Sequence, residues 1–249
     1  MMIVPRREDA YHKMQLYRLL TAIVDEEKIA SQICFKGGTC AAMLGFLDRF
    51  SVDLDFDLLE KANKEDLRHY FHQLFTGLNL EIKNESKTTL QFLLRYEAEP
   101  NQRNTIKLDV LDQGCKVDVC QPQYLPEIDR YMNCQTVETM FANKLVALVE
   151  RFEKNKSIAG RDLYDIHHFF VKGYKYEASV IRERRGVEVG KYLEQLSKFV
   201  EKQVTQTVIN QDLNTILPPE KFNQIRKGLK SETLTLLRDE LKRVENFAP

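Results

Sequence analysis

Apolar residues near the start of the chain recur at the spacing of one helix face. They are Leu16, Leu19, Leu20, Ile23 and Val24. This spacing predicts a helix over residues 8 to 30, and the apolar run at residues 33 to 35 predicts a strand directly after it. Gly37 and Gly38 then end that strand. Residues 41 to 47 fit a short helix, and the alternation of polar and apolar residues predicts a second strand over residues 52 to 58.

The rest of the chain changes its periodicity once, near residue 135. Before that point the pattern predicts a helix over residues 63 to 75 and β-strands over residues 78 to 83, 88 to 96, 105 to 110 and 116 to 120, followed by a proline-marked loop over residues 121 to 126. After it, helical periodicity continues almost throughout. We therefore expect an α+β fold, with a mixed sheet and helices in residues 1 to 135 and an α-helical half in residues 136 to 249.

The composition is that of an ordinary globular protein. Of the 249 residues, 43% are hydrophobic and 30% are charged, and 37 basic residues balance 37 acidic ones. A neutral chain does not attract polyanions as a whole, so any such attraction requires local patches. The first residues lack the apolar core of a signal peptide, and no apolar run reaches the roughly 20 residues of a membrane span. A cytoplasmic protein is expected.

The five cysteines follow no metal-binding pattern. They are Cys34, Cys40, Cys115, Cys120 and Cys134. Zinc sites require a tighter grouping of ligands, and disulfides are rare in cytosolic proteins. We expect reduced, partly buried thiols.

Two aspartates in the second predicted strand suggest a divalent-cation site. Side chains two residues apart on a strand face the same way, so Asp53 and Asp55 project as a pair. Carboxylates held this close repel each other, and a bound Mg²⁺ relieves that repulsion. A solvated strand face would show the same pattern, and Asp57 fits either the site or a solvated strand end.

The glycine turn before these aspartates is a candidate phosphate site. Gly37 and Gly38 follow a strand and precede a predicted helix, so their backbone N–H groups can point at phosphate oxygens, and Thr39 adds a hydroxyl. A plain turn is the alternative.

Together, KGGT, a short helix and RFSVDLDF resemble the first motif of the polymerase-β-like nucleotidyltransferase superfamily, and most closely the AbiEii/AbiGii toxin nucleotidyltransferases. The resemblance implies that the glycine turn holds an NTP triphosphate and that Asp53 and Asp55 hold Mg²⁺ or Mn²⁺. The nucleotide-binding residues implied by the same motif are Lys36, Gly37, Gly38, Thr39, Arg49 and Ser51.

The superfamily requires a third carboxylate from a neighbouring strand. Asp109, in the sequence KLDV, has the family's usual pattern and is our choice as third metal ligand. Asp118, in KVDV, remains a rival. Either residue would complete a two-metal clamp on the attacking hydroxyl and the α-phosphate, with the ions about 4 Å apart.

Two motifs in the helical half extend the resemblance. VETMFANKLVALVERF and RDLYDIHHFF resemble later motifs of the family. On a helical wheel, Lys144 and Arg151 fall on the apolar stripe, where cations need anionic partners. A structural salt bridge from Lys144 to Asp162 or Asp165 is one interpretation. The resemblance implies instead that Lys144 contacts the nucleotide phosphates and Asp165 orients it or assists proton transfer, with residues 136 to 249 completing the active-site cleft.

The leading hypothesis is therefore an enzyme that transfers an NMP from an NTP to an acceptor hydroxyl. The resemblance implies RNA as acceptor, particularly the tRNA 3′ end, and a toxin of a toxin–antitoxin or phage-defence system with a cognate antitoxin. Protein acceptors remain open. One alternative is a HEPN-like ribonuclease, because Arg161 and His167 resemble the Arg and His pairing of those enzymes. A second is a non-catalytic nucleotide-binding module.

Two basic clusters lie beyond residue 175, where no family pattern is recognised. The first comprises Arg182, Arg184, Arg185 and Lys191, and the second Lys221, Arg226, Lys227 and Lys230. Charge runs of this kind are usually solvated helix faces, and RNA phosphates are the functional alternative.

Overall fold

The structure of the chain is a computed structural model that describes residues 6 to 60, 62 to 100, 102 to 112 and 115 to 246. The chain divides into two compact units, Met1–Thr136 and Val137–Pro249. The roles predicted for the two halves, a nucleotidyltransferase domain and a helical half that completes its active-site cleft, remain predictions. Among the described residues, no helix combines the length and the apolar character that crossing a membrane requires.

The first unit contains a mixed sheet and helices. After one turn of 3-10 helix at Arg7–Asp9, its helices are α1 (Ala10–Asp25), α2 (Glu27–Ala30), α3 (Gly37–Met43) and α4 (Lys64–Gly77). Its strands are β1 (Ile33–Lys36), β2 (Leu54–Leu58), β3 (Glu81–Glu85), β4 (Leu90–Arg95), β5 (Thr105–Asp112), β6 (Cys120–Leu125) and β7 (Arg130–Gln135). The predicted α+β class is confirmed.

The seven strands form one sheet in the order β3-β4-β5-β2-β1-β7-β6. Strand β2 lies at the centre, antiparallel to β1 and parallel to β5. Strand β1 is also parallel to β7, whereas β3, β4 and β5 pair antiparallel in sequence. The central position of β2 places Asp55 between strands that come from distant parts of the sequence.

The apolar face of the sheet forms the core of the first unit. Leu54 and Phe56 alternate with aspartates along β2, so their side chains point to the opposite face, and both are fully buried. Phe56 stacks on Phe35 with ring centroids 5.1 Å apart, and Phe75 of α4 lies 5.1 Å from Phe92 of β4. The apolar half of the predicted alternation is thus confirmed, and the aspartate face is left for other contacts.

Several predicted boundaries are wrong. The first helix is interrupted at Glu26, and the second strand begins at Leu54, so that Asp53 precedes it. The segment predicted as a proline-marked loop forms β6, and β7 was not predicted. Strand β6 contains Pro122 but is an edge strand, where a residue without an N–H group is tolerated.

The expectation of five reduced cysteines is also wrong. Cys34 and Cys120 form a disulfide with their Cα atoms 6.3 Å apart, although 86 positions separate them in sequence. Cys40, Cys115 and Cys134 are free and buried, and burial raises the pKa of the Cys40 thiol. The pairing could not be foreseen because it depends on strands β1 and β6 meeting in the folded sheet.

The second unit consists of helices in its described residues. They are α5 (Val137–Asn155), α6 (Gly160–Val171), α7 (Ala178–Arg185), α8 (Val189–Gln203), α9 (Gln206–Leu213), α10 (Pro219–Ile225) and α11 (Leu229–Asn246). Pro219 begins α10, at a position whose N–H group would have no helical partner, so proline costs no hydrogen bond there. Gly186 ends α7 in the left-handed conformation that favours glycine.

His12 joins α1 to the segment that leads into the motif aspartates. Its Nε2 atom lies 3.1 Å from the carbonyl oxygen of Val52, and its Nδ1 atom lies 2.7 Å from the hydroxyl oxygen of Tyr96. The Tyr96 hydroxyl oxygen also lies 2.7 Å from the carbonyl oxygen of Arg103, which competes with His12 Nδ1 for its single proton. Burial lowers the pKa of His12 from 6.5 to about 4, although the bond to Val52 acts in the opposite direction. The neutral imidazole is therefore the stable form in the folded chain.

We expect His12 to make the stability of the protein depend on pH. Because the pKa of His12 is lower in the folded chain than in the unfolded chain, the unfolded chain binds the proton more readily. The contribution of His12 to stability is therefore complete above pH 6.5 and is lost as the pH falls toward 4. Between pH 7.5 and pH 5 the loss is roughly 2 kcal/mol. Urea unfolding of the wild type and of His12→Gln at both pH values measures it. Equal pH dependence in the two proteins would contradict this assignment.

Candidate active site

One row of polar side chains crosses four neighbouring strands. Its members are Lys36 on β1, Asp55 on β2, Asp109 on β5 and Gln91 on β4. Lys36 lies directly opposite Asp55, and Asp55 lies directly opposite Asp109. Gln91 then lies opposite Asp109 on its other side. Residues opposite each other on adjacent strands carry their side chains on the same face, about 5 Å apart. The sheet therefore brings Asp55 and Asp109 together.

The Asp109 carboxylate is buried and only half satisfied. Its Oδ2 atom contacts the ammonium of Lys107, whereas its buried Oδ1 atom has no hydrogen-bond partner among the described residues. A buried carboxylate oxygen without a partner is costly. It is therefore a position at which a cation or a ligand donor would be stabilising.

The glycine turn comes into close contact with the aspartate row. Gly37 has φ +78°, and a Cβ added there would lie 2.6 Å from Asp55 Oδ2. A Cβ on Gly38 would lie 2.7 Å from Arg49 Nη2 and 3.0 Å from Ser51 Oγ. Glycine is favoured at Gly37 by its positive φ and by the close approach of Asp55, and a side chain at Gly38 would require Arg49 and Ser51 to shift. The structure thus brings Gly37, Gly38, Arg49 and Ser51 to the edge of the carboxylate site.

Two side-chain hydrogen bonds fix the segment before β2. The Thr39 hydroxyl donates to the carbonyl oxygen of Asp53. The buried Arg49 guanidinium donates to the carbonyl oxygen of Phe50 over 3.0 Å. Thr39 therefore positions the backbone of Asp53, and its predicted contact with a phosphate remains a prediction.

Asp57 belongs to a buried network, so the alternative of a solvated strand end is wrong. It is only 1% exposed, and its Oδ1 atom forms an ion pair with Lys36. Its Oδ2 atom accepts a hydrogen bond of 2.7 Å from Gln135 Nε2, which also lies 3.3 Å from Asp118 Oδ2. Asp118 is thus tied to Asp57 through Gln135, whereas Asp109 lies opposite Asp55. This register favours Asp109 as the third carboxylate.

Carboxylates in and beside the row have the ligand chemistry of a hard divalent cation. Asp55 and Asp109 in the row, and Asp53 just before β2, offer carboxylate oxygens, which Mg²⁺ and Mn²⁺ prefer, and Asp109 Oδ1 lacks a hydrogen-bond partner among the described residues. The Lys107 ammonium already supplies one positive charge to Asp109. In the part of the chain that the structure describes, no group of three or more acidic, histidine or cysteine side chains is already placed to hold a metal ion. The fit therefore rests on the ligand chemistry and on the unpartnered oxygen.

Sequence reasoning missed two residues of this region. Gln91 extends the row beyond Asp109, and Gln135 joins Asp57 to Asp118. Alternation along β4, with buried Leu90 and Phe92 on either side, marks Gln91 as facing away from the core. Its register with Asp109 depends on strand pairing and left no local signal.

The second unit contains a separate cluster of buried charges. Lys144 Nζ lies 2.9 Å from Asp162 Oδ1 and 2.9 Å from Asp165 Oδ2, and Arg151 Nε lies 3.2 Å from Asp162 Oδ2. Both carboxylates are buried, and the Lys144 side chain is 18% exposed. The structure thus contains the salt bridges from Lys144 to Asp162 and Asp165 that were one interpretation of the sequence. Their predicted catalytic roles remain predictions.

We expect this cluster to be sensitive to acid. Burial acts to raise the pKa of Asp162, but Lys144 and Arg151 outweigh it and lower the pKa from 3.8 to about 2. The contribution of Asp162 to stability is therefore complete above pH 3.8 and is lost as the pH falls toward 2. The loss amounts to roughly 1 kcal/mol between pH 6 and pH 3.

Urea unfolding at pH 6 and pH 3 tests this expectation. Asp162→Asn should reduce the loss of stability by that amount, whereas Asp239→Asn, at an exposed helical position, should leave it unchanged. An unaltered pH dependence in Asp162→Asn would refute the assignment.

Structural contacts account for His167 and for three of the four residues of the first basic cluster. His167 Nε2 lies 2.8 Å from Glu232 Oε2. Arg182, Arg184 and Arg185 form ion pairs with Glu188, Glu150 and Glu153, respectively. These pairs neutralise much of the charge that an RNA-binding surface would require. The contact with Glu232 gives His167 a structural role, which differs from the catalytic role that the ribonuclease alternative assigns to it.

Comparison with known proteins identifies the family. A family model described as "Nucleotidyl transferase AbiEii toxin, Type IV TA system" matches residues 18 to 242. Among curated proteins, none matches the chain significantly. The crystal structure of JHP933 from Helicobacter pylori is 20% identical, with a TM-score of 0.61, over 98% of this chain and 96% of that one.

A second crystal structure, of an H. pylori protein assigned as a nucleotidyltransferase, is 21% identical with a TM-score of 0.62, over 98% and 99% of the two chains. Likeness at this identity establishes a shared fold, and the family match extends over most of the sequence. The chain therefore belongs to the nucleotidyl transferase AbiEii toxin family of type IV toxin–antitoxin systems, which confirms the resemblance carried by its motifs.

Proposed function

We propose that this nucleotidyltransferase toxin moves an NMP from an NTP to an acceptor hydroxyl at the row formed by Asp55 and Asp109. The observation that carries the proposal is the direct opposition of these carboxylates across β2 and β5, together with the unpartnered Oδ1 atom of Asp109. Two acidic side chains on one face, one of them with a carboxylate oxygen that has no hydrogen-bond partner among the described residues, suit a divalent cation better than an apolar or neutral ligand.

The reaction is a displacement at the α-phosphate. A bond forms between the acceptor oxygen and the α-phosphorus, the bond from that phosphorus to the bridging oxygen of the β-phosphate breaks, pyrophosphate leaves, and the hydroxyl proton passes to solvent. Asp53, Asp55 and Asp109 would hold Mg²⁺ or Mn²⁺, which supplies Lewis-acid stabilisation of the phosphate charge. The chain's own contribution is to hold these carboxylates in register and to bind the phosphates beside them.

The NTP phosphates are assigned to the glycine turn. Gly37 and Gly38 permit close approach of the backbone, and Arg49 and Ser51 lie against Gly38. Lys36 is adjacent, with its ammonium oriented by Asp57. These contacts support a phosphate site bounded by a buried guanidinium, a hydroxyl and an ammonium. Thr39 would contribute by holding Asp53 in place.

Lys144 and Asp165 are proposed to act on the same nucleotide. Their support is the family motif in which they occur and their ion pair, which orients the ammonium. Lys144 would contact the phosphates, and Asp165 would orient Lys144 or assist proton transfer. Loss of transfer in Lys144→Ala, with partial recovery in Lys144→Arg, would support a phosphate contact, and unchanged transfer would contradict it.

The acceptor is proposed to be RNA, particularly the tRNA 3′ end, and the setting is proposed to be the cytoplasm, where NTPs and RNA meet. The match to a type IV toxin–antitoxin family implies a cognate antitoxin as partner. The toxin class is established by the family, whereas the RNA target is part of the proposal.

Metal-dependent transfer is tested with purified protein, NTPs labelled at the α-phosphate and cellular RNA. Labelled RNA should appear with Mg²⁺, should disappear with EDTA, and should be reduced to background in Asp53→Ala. The exposed Asp66→Ala is the matched control and should retain activity. Incorporation that persists in Asp53→Ala would refute the proposed mechanism.

A further inference from the structure

A cavity of about 450 Å³ lies on the side of Asp109 that faces away from the glycine turn. Strands β3, β4 and β5 form it, and its lining includes Asn84, Ser86, Gln91, Leu93, Lys107 and Asp109. We propose that this cavity binds the terminal nucleotide of the RNA acceptor and presents its hydroxyl to Asp109. The inference rests on the proposed function and names the acceptor subsite of the same centre.

The geometry of the displacement sets the side from which the acceptor approaches. In phosphoryl transfer the attacking and leaving oxygens lie in line on opposite sides of phosphorus. The triphosphate is assigned to the turn at Gly37 beside β1, so pyrophosphate leaves on that side of the row. The sheet continues in the order β1, β2, β5, β4 and β3, so the attacking hydroxyl must come from the side of β5 and β4. The cavity is on that side.

The chemistry of the lining suits a nucleotide. Asn84 and Gln91 carry amides, which form paired hydrogen bonds with base edges, and Ser86 adds a hydroxyl. Leu93 provides an apolar surface, and Lys107 provides a cation for a phosphate. The volume falls within the range of pockets that bind small ligands. The lining also includes a second carboxylate, Glu85, whose charge is balanced by its ion pair with Arg68. Amides and a cation beside Asp109 together match a nucleotide better than an apolar ligand.

Hydrogen bonds hold the rim of the cavity in place. Arg68 of α4 forms an ion pair with Glu85 and donates to the carbonyl oxygens of Ser86 and Thr89, at 3.1 and 3.0 Å. The Thr89 hydroxyl lies 2.9 Å from Gln91 Oε1 and can donate to it, which orients the amide. The turn between β3 and β4 is therefore fixed against α4, and Gln91 is preorganised for binding.

A larger cavity of about 1030 Å³ in the same unit is the competing location. It is lined by residues that include Tyr11, Tyr96, Glu97, Glu99 and Gln102. Its lining lacks the motif aspartates, and it holds three glutamates, Glu81, Glu97 and Glu99, against the single cation Arg95, an excess of negative charge that would repel RNA phosphates. Volume alone does not select a site, and the smaller cavity includes Asp109.

The test compares Gln91→Ala and Asn84→Ala with Gln102→Ala, a matched control in the larger cavity. Steady-state transfer is measured on RNAs that differ only in the 3′-terminal base, together with the KM for the NTP. Each cavity variant should raise the KM for RNA about five- to tenfold and weaken the preference among terminal bases. The KM for the NTP should not change, which also shows that the variant is folded. Gln102→Ala should match the wild type.

The outcomes separate this inference from the proposed function. Wild-type activity with unaltered RNA KM and base preference in both cavity variants would overturn the acceptor subsite alone. Labelling of protein instead of RNA by the wild type would overturn a nucleotide acceptor while leaving nucleotidyl transfer intact. Transfer that persists in Asp53→Ala, or no transfer by the wild type to any acceptor, would overturn the proposed function first and the subsite with it.

Discussion

Asp109→Asn is expected to reduce nucleotide transfer by at least about 1000-fold while leaving the protein folded. The substitution keeps the shape of the side chain and removes the charge that faces Asp55 across the two strands. Because Asp109 Oδ1 has no partner among the described residues, an amide removes few native contacts beyond the ion pair to half-exposed Lys107. We therefore expect the free energy of unfolding to change by less than about 1 kcal/mol.

Asp118→Asn is the matched comparison, because Asp118 is the rival third carboxylate. It contacts Gln135 and lies outside the row of Asp55 and Asp109. Transfer by this variant should remain within about tenfold of the wild type, because Asp118 contacts Gln135 outside the row, and Gln135 in turn donates to Asp57. Kinetics and urea unfolding measure both quantities. Active Asp109→Asn with inactive Asp118→Asn would reverse the assignment.

Gly37→Ala is expected to show the second largest effect. Alanine would adopt φ +78° with strain, and its Cβ would lie 2.6 Å from Asp55 Oδ2. The strain should cost about 1 kcal/mol of stability, and displacement of the Asp55 carboxylate should reduce transfer about 100-fold or more. The measurements are the free energy of unfolding and the rate of transfer at saturating NTP.

Gly45→Ala separates strain from displacement. Gly45 has φ +77°, almost the same backbone conformation, but a Cβ there meets no atom within 4 Å. Gly45→Ala should therefore lose about as much stability as Gly37→Ala and keep its transfer activity. Equal activity losses in the two variants would show that strain, and not the contact with Asp55, determines the effect.

The alternation of polar and apolar residues was sufficient to predict strand β2 and which of its faces is buried. Leu54 and Phe56 are buried, and Asp55 lies on the other face, as a period of two requires. The KGGT motif and the later motifs then indicated the role of the glycine turn and the family to which the chain belongs. Local sequence is informative here because burial on one face and close approach of a backbone restrict which residues fit.

Pairing between distant strands was not predictable in the same way. The row of Lys36, Asp55, Asp109 and Gln91 depends on four strands meeting in register. The disulfide depends likewise on residues 86 positions apart. Such contacts are determined by the packing of the whole sheet, so no local pattern shows that Gln91 lies opposite Asp109.

Side-chain partners also depend on the tertiary structure. The KGGT motif suggested that the Thr39 hydroxyl reaches phosphate, whereas the structure directs it to the carbonyl oxygen of Asp53. The apolar stripe required anionic partners for Lys144, and the structure supplies both Asp162 and Asp165. The requirement for a partner was predictable from burial, but the identity of the partner followed from the geometry of helices α5 and α6.

The most direct test of the proposed reaction follows the two ends of the triphosphate separately. Purified protein is incubated with Mg²⁺, an RNA acceptor and each NTP, labelled at either the α- or the γ-phosphate. Label from the α-phosphate should enter the RNA, one equivalent for each pyrophosphate released, and label from the γ-phosphate should leave with pyrophosphate. Transfer of the γ-label to the acceptor, or release of pyrophosphate without incorporation of the α-label into RNA or protein, would contradict nucleotidyl transfer at Asp55 and Asp109.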